Sequence, residues 1–338
     1  MHPPVFSDLS FDDAIAKSTE EKKLLLVDAT ASWCQPCKHM DKTTWVDAKV
    51  VAAIGEHAIA VQFDVDEEKE LAKTLSVRAM PTVIAFRDGK EIDRIVGMRA
   101  PAAFVSWLDA LGRGETSLDA ARKTARESPA SVEARLGFSR ALLQAEVFEE
   151  ATTEHAWIWE HMTEHVPGFV GVKHSFFARQ IAELAAKHPP AREAFARIRD
   201  RAAAGTLDWF SLNTALGEDA RTLTWFDTVK DRVRTDKELS KIAETVIVPL
   251  LVAAERWADA GNAYAHPLET FEQIVAIRKQ MEEMLTKQLP PEQAREALAM
   301  IAKKSAHDIE TLRRALREAH RDDDLRAIDE AARAIEPG

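Results

Sequence analysis

Two cysteines occur in the 338 residues of the chain, and both lie in the hexapeptide Trp33-Cys34-Gln35-Pro36-Cys37-Lys38. Thiols at this spacing suit thiol–disulfide exchange, in which a thiolate attacks a disulfide sulfur and a second thiol resolves the mixed disulfide. Other uses of the pair fit less well. A zinc site of cysteines alone needs two more, and His39 by itself leaves the set short of a ligand. A structural disulfide closing so short a loop would restrict the unfolded chain little.

The neighbouring residues say how such a pair is held. Leu24-Leu25-Leu26-Val27-Asp28-Ala29 is an apolar run of strand length with one acid inside it. After the cysteines a helical pattern runs through Met40, Trp45, Val50 and Ile54, with Gly55 as its stop signal. The order strand, turn, Cys-x-x-Cys, helix puts both sulfurs at a helix N-terminus, where unsatisfied N–H groups and the dipole favour a thiolate. Pro36 fits the first helical turn, where its missing N–H costs nothing. Gln35 and Pro36 are the residues expected to tune the pair. Cys34, nearest the turn, is expected to be the more exposed and more acidic thiol and hence the nucleophile, with Cys37 resolving from within the helix. Asp28, in a buried strand, should have a raised pKa, which suits it to move a proton to or from Cys37 through water.

The surrounding pattern is that of an α/β sheet. Ser10 caps a first helix through Phe11 and Ile15, Ile59 to Val65 alternates as a strand, and Glu67 to Leu75 reads as a helix covering it. Thr82 to Phe86 and Ile92 to Val96 form a hairpin about Asp88-Gly89. Pro101 opens a last helix that buries Phe104, Trp107 and Leu108.

Val27-Asp28 through Cys37-Lys38 resembles the active-site segment of the thioredoxin superfamily. Val77-Arg78-Ala79-Met80-Pro81-Thr82-Val83 resembles that family's cis-proline loop and following strand, and Asp88-Gly89-Lys90 with Val96-Gly97 completes the match. The stretch from Lys38 to Asp47 has Lys42 near the place of the usual kinking proline and is similar to the thioredoxin-like domain of thiol–disulfide interchange proteins. The cysteines flank Gln-Pro where thioredoxins usually have Gly-Pro. The resemblance covers residues 1–112 and implies a thioredoxin fold, a thiol–disulfide oxidoreductase activity and no cofactor beyond the Cys34–Cys37 dithiol. It also implies a cis Pro81 that sets the Met80 backbone opposite Cys34, where an extended substrate segment can pair as a short extra strand. Trp33 supplies an apolar contact beside the nucleophile. Gln62 stands where related proteins often carry a Lys near the buried acid, and a neutral neighbour does less to favour the carboxylate.

Residues 113–116 read as a linker, and residues 117–338 as an all-α domain of Ala-rich helical segments. Candidate helices include 147–165, 174–187, 237–258, 268–287, 291–303 and 305–335. Phe138, Leu142, Phe148-Glu149-Glu150-Ala151 and Ile158 resemble one tetratricopeptide unit, so a solenoid of antiparallel helix pairs that grips protein partners is expected. His161-Met162-Thr163-Glu164-His165 matches an inverted zinc-peptidase pattern, but on an amphipathic helix it reads more simply as a solvated face, and no metal site is expected. Trp157, Trp159, Trp209, Trp225 and Trp257 read as core.

Hydrophobic residues make up 46% and charged residues 30% of the chain, with a net charge of −11, ordinary for a globular protein. Both parts are acidic, at −5 for residues 1–112 and −6 for the rest, which leaves no electrostatic basis for nucleic-acid binding. The first residues lack a basic and apolar leader pattern, and the longest apolar stretch, Val246 to Ala254, is too short to span a bilayer. A cytoplasmic location with a reduced dithiol is the expectation. Protein substrates and an unidentified electron donor are the expected partners, and a co-chaperone that holds unfolding clients is the alternative.

Overall fold

The computed structural model describes residues 2–335. The chain divides into two compact units, Met1–Phe169 and Val170–Gly338.

The first unit is built on a four-stranded sheet of order β2-β1-β3-β4, with β1 at Leu24–Thr30, β2 at Ala58–Asp64, β3 at Thr82–Arg87 and β4 at Lys90–Val96. β1 pairs parallel with β2 and antiparallel with β3, and β3 pairs antiparallel with β4. β1 is buried almost end to end because it is flanked by strands on both edges and covered on both faces. Its alternation assigns the faces. Leu24 and Leu26 pack with Met40, Trp45, Val50, Phe104 and Leu108, which come from the region of α2 (Gln35–Thr43), α3 (Ala48–His57) and α5 (Pro101–Gly112). Leu25, Val27 and Ala29 pack with Ala14 and Leu75, beside α1 (Phe11–Glu20) and α4 (Lys69–Thr74). Asp28 shares the parity of Leu24 and Leu26, and Gln62 shares that of Ala58 and Ala60, so both face α2. Ser10 caps α1 by accepting from Asp13 N–H. Asp88 and Gly89 join β3 to β4 with φ of 51° and 73°, the left-handed pair that a two-residue hairpin turn requires.

The single helix expected from Cys34 to Ile54 is two. α2 ends at Thr43 and α3 starts at Ala48 after Asp47, whose carboxylate accepts from Lys49 and Val50 N–H at 2.9 and 3.3 Å. The break lets Trp45 turn into the core, 2% exposed, with its ring edge-on to Phe6 and Phe104 at 5.1 and 4.9 Å. Burying so large an aromatic outweighs one more turn of helix.

Three further helices complete this unit: α6 (Ser117–Glu127), α7 (Val132–Gln144) and α8 (Phe148–His165). Thr116 and Asp119 form a capping box at the start of α6, and consecutive helices pack against each other, burying Phe138, Leu142, Ala151 and Ile158.

Among its described residues the second unit consists of helices joined by turns and holds no strand. It comprises α9 (Val170–Val172), α10 (Ala178–Lys187), α11 (Pro189–Arg201), α12 (Leu207–Ala215), α13 (Asp219–Val229), α14 (Lys237–Ile242), α15 (Val248–Ala253), α16 (Trp257–Ala263), α17 (Pro267–Gln288), α18 (Pro291–Glu318) and α19 (Asp322–Ile335). Turns of π-helix at Lys173–Phe177 and Ala243–Ile247 lead into α10 and α15. Its core gathers Phe210, Phe226, Ile247, Leu251, Phe271, Leu312 and Leu316. Gly261 marks the crossing of α16 and α18, since a Cβ there would lie 2.1 Å from the Ala315 carbonyl oxygen. Three expected boundaries move. Helix 237–258 is interrupted, a separate α16 follows Glu255, and α18 runs unbroken past residue 304 to Glu318, with the break within 305–335 at Ala319–Arg321. Glu255 and His320 take left-handed φ of 57° and 55°, a conformation that glycine would have signalled and these residues do not.

Candidate active site

β1 delivers the chain to a short turn, and α2 begins at the cysteines. Cys34 is the N-cap of α2, with its own N–H bonded to Ala31 O and its carbonyl accepting from Lys38 N–H. Gln35, Pro36 and Cys37 then form the first turn, Gln35 and Pro36 exposed. The two sulfurs are joined in a disulfide, with Cα atoms 5.3 Å apart. Cys37 N–H donates to Cys34 Sγ at 3.2 Å. The cysteines are 4% and 3% exposed, so exposure does not separate them. What separates them is the backbone: the open end of the helix donates to Cys34 Sγ, which is where a thiolate would be stabilised.

The rim comes from three loops. Trp33 is 62% exposed, and its indole N–H donates to Asp66 Oδ2 at 2.7 Å. Asp64 accepts from Ser32 N–H at 3.0 Å and from Asp66 N–H at 2.9 Å, tying the turn after β2 to the turn before α2. The Met80–Pro81 peptide is cis. Met80 and Val65 pack against the buried cluster Ala31, Cys34 and Cys37. Pro81 O accepts from Gly97 N–H at 2.8 Å, while Met80 makes no backbone hydrogen bond among the described residues.

Asp28 lies under α2, 2% exposed. Gln62, its register partner on β2, donates from Nε2 to Asp28 Oδ2 at 2.8 Å and also to Asp41 Oδ1 at 3.1 Å. Among the described residues Asp28 Oδ1 has no hydrogen-bond partner. Burial pushes the Asp28 carboxyl up to about 7, the Asp41 charge adds to the rise, and Gln62 and the Trp45 side chain oppose it. The acid is thus poised near neutrality, the range in which a group can both take and give a proton.

Asp41 and Asp66 were not singled out from the sequence. Asp41 stands four residues after Cys37, on the same helical face, and that spacing was its available signal. Asp66 lies in the acidic run Asp64-Val65-Asp66-Glu67-Glu68, which does not say which carboxylate meets Trp33.

Elsewhere the candidates stay apart from this site's chemistry. His161 pairs with Glu164 at 3.0 Å and lies beside Trp157, and no group of three or more His, Cys, Asp or Glu among the described residues could hold a metal ion. Trp159 and Trp209 are buried, and Trp157 and Trp257 lie beneath Arg135 and Arg314 at 3.7 and 3.9 Å. Among the described residues no helix is long and apolar enough to cross a membrane.

Residues 3–110 match the thioredoxin family. Thioredoxin H-type 1 of Nicotiana tabacum is 41% identical over 92 residues, 26% of this chain and 68% of that protein. A thioredoxin H-type of Oryza sativa subsp. indica is 39% identical over 89 residues, 26% of this chain and 70% of its own length. A thioredoxin of Chlamydia trachomatis serovar D is 36% identical over 104 residues, 31% of this chain and 93% of its own. Through residues 3–110 the chain belongs to the thioredoxin family, and with its Cys34–Cys37 pair it is a thiol–disulfide oxidoreductase.

Proposed function

We propose that the protein reduces disulfides in other proteins, with residues 1–112 as its catalytic domain and, beyond the 113–116 linker, residues 117–338 as a helical, tetratricopeptide-like domain that selects the partner. The observation that carries the reading is the hydrogen bond from Cys37 N–H to Cys34 Sγ at the start of α2. It favours negative charge on Cys34.

In the reduced protein, the Cys34 thiolate attacks one sulfur of the substrate disulfide. A mixed disulfide forms and the first substrate thiolate leaves. Asp28 takes the proton from Cys37, whose thiolate attacks Cys34 Sγ and releases the second substrate sulfur. The Cys34–Cys37 disulfide is the product, and both electrons have passed to the substrate. The proton on Asp28 is free to follow through water. A separate dithiol electron donor must then reduce the pair, and no further cofactor enters. Met80 offers unpaired backbone groups to an extended substrate segment, Trp33 an apolar contact, and Gln35 and Pro36 shape the turn between the sulfurs. A reduced resting dithiol suits the cytoplasm.

The test uses the full chain with an insulin disulfide as substrate and dithiothreitol as donor. Cys34→Ser should abolish turnover, and Cys37→Ser should accumulate a mixed disulfide on Cys34. Turnover that survives Cys34→Ser would sink the reading.

A second reading, a co-chaperone that holds unfolding clients, is favoured by one observation. Ile277, Met281 and Met284 are exposed at spacings of four and three along α17, an adaptable apolar face. Client holding that persists after both cysteines become Ser would support it, and holding lost with the thiols would exclude it.

A further inference from the structure

The Gln62 side-chain amide is shared between two carboxyl groups, one on a central strand and one on the helix that carries the cysteines. Its Nε2 has two protons and sends one to Asp28 Oδ2 at 2.8 Å and one to Asp41 Oδ1 at 3.1 Å. The two oxygens therefore lie within about 6 Å of each other, close enough for the Asp41 charge to disfavour charge on Asp28. We propose that Asp41 is a positioning residue: its carboxylate, joined to Asp28 through the Gln62 amide, biases Asp28 toward carrying the proton used in the resolving step. This rests on reading Asp28 as the proton carrier.

The environments of the two acids are unequal. Asp28 is sealed beneath α2, whereas Asp41 is half-buried and keeps access to solvent. Charge is costly at the sealed site, so the proton belongs on Asp28, whose Oδ1 has no hydrogen-bond partner among the described residues. The groups facing Asp28 leave little else to set its state. α2 contributes Asp41 and, when reduced, the Cys37 thiol. β2 contributes the neutral Gln62, the turn after α2 contributes Trp45, and β3 sets Val83 alongside in register. Among the described residues no cation acts on it, and Lys38 and Lys42 of α2 are exposed. The Asp41 charge is, among the described residues, the one charged group raising the proton affinity of Asp28. Asp41 follows Cys37 by one helical turn, so a single face of α2 presents both the resolving thiol and the group that biases its base.

The experiment is a pH–rate profile of disulfide reduction by the full chain, comparing the natural protein with Asp41→Asn, Asp41→Glu, Asp28→Asn and the Asp28→Asn, Asp41→Asn double variant. Asp41→Asn should move the acid limb down by about half a pH unit or more, since Asp28 then gives up its proton more readily. Asp41→Glu should restore the limb, and the double variant should match Asp28→Asn alone. An unshifted limb in Asp41→Asn, with the limb still abolished by Asp28→Asn, would overturn the role of Asp41 and leave the proton-carrier reading standing. A limb that survives Asp28→Asn would overturn both.

Discussion

The Asp93 carboxylate on β4 accepts the backbone N–H of Ser117, the first residue of α6, at 2.7 Å. The same oxygen takes the Trp107 indole N–H at 3.0 Å, and Oδ1 takes Arg94 N–H at 2.8 Å. A carboxylate at a helix N-terminus meets open N–H groups and a favourable dipole. Gln144, at the end of α7, donates to Arg94 O at 2.8 Å, so α6 and α7 are fastened to the outer strand of the sheet.

Asp93→Ala should therefore destabilise this unit by about 2–3 kcal/mol, because three donors lose this partner. Asp93→Asn, which keeps one acceptor, should cost less. Urea unfolding followed by circular dichroism reads both. A midpoint unchanged in Asp93→Ala would show that the bond to Ser117 does not hold α6.

Asp28→Asn should stabilise the oxidised protein at neutral and higher pH. The folded carboxyl is raised from 3.8 to about 7, so between these values the unfolded chain gives up a proton that the folded one keeps. Stability of the natural protein then falls as pH rises through this window and levels off above it. The gain from Asn should reach roughly 4 kcal/mol above pH 7 and vanish below about pH 4. Denaturant midpoints across pH 3–9 decide it, and a gain independent of pH would contradict the burial of an ionisable Asp28.

In the reduced protein, limiting iodoacetamide at neutral pH should label Cys34 first, read by peptide mass spectrometry. Both sulfurs are almost equally buried, so the preference comes from the N–H that Cys37 aims at Cys34 Sγ and not from access. Predominant labelling of Cys37 would reverse their roles.

Trp33→Ala should raise the KM for a protein disulfide several-fold while leaving a small, generic disulfide almost unaffected. The ring is mostly exposed, so the stability change should stay within about 0.5 kcal/mol. Equal losses on both substrates would mean that Trp33 acts on the sulfurs and not on the partner.

Local signals carried much of the site. The thiol spacing, the Pro in the first helical turn, the apolar run of β1 and the Asp88-Gly89 turn each act through neighbours in the chain, and each is found where its residues stand. Asp28 was legible because one acid in an otherwise apolar strand has to be buried. The break between α2 and α3 was not legible, because it serves Trp45, which seeks Phe6 and Phe104 from distant segments. The same holds for the left-handed turns at Glu255 and His320, where tertiary packing overrides residues that carry no turn preference. The sequence by itself determined that a dithiol would stand at the end of a buried strand. Only the tertiary structure decided how the carboxylates are partnered: Asp41 and Asp28 through Gln62, Asp66 with Trp33, and, away from the dithiol, Asp93 with Ser117. Hydrogen bonds between residues far apart in the chain have no periodicity or spacing that a linear reading can detect.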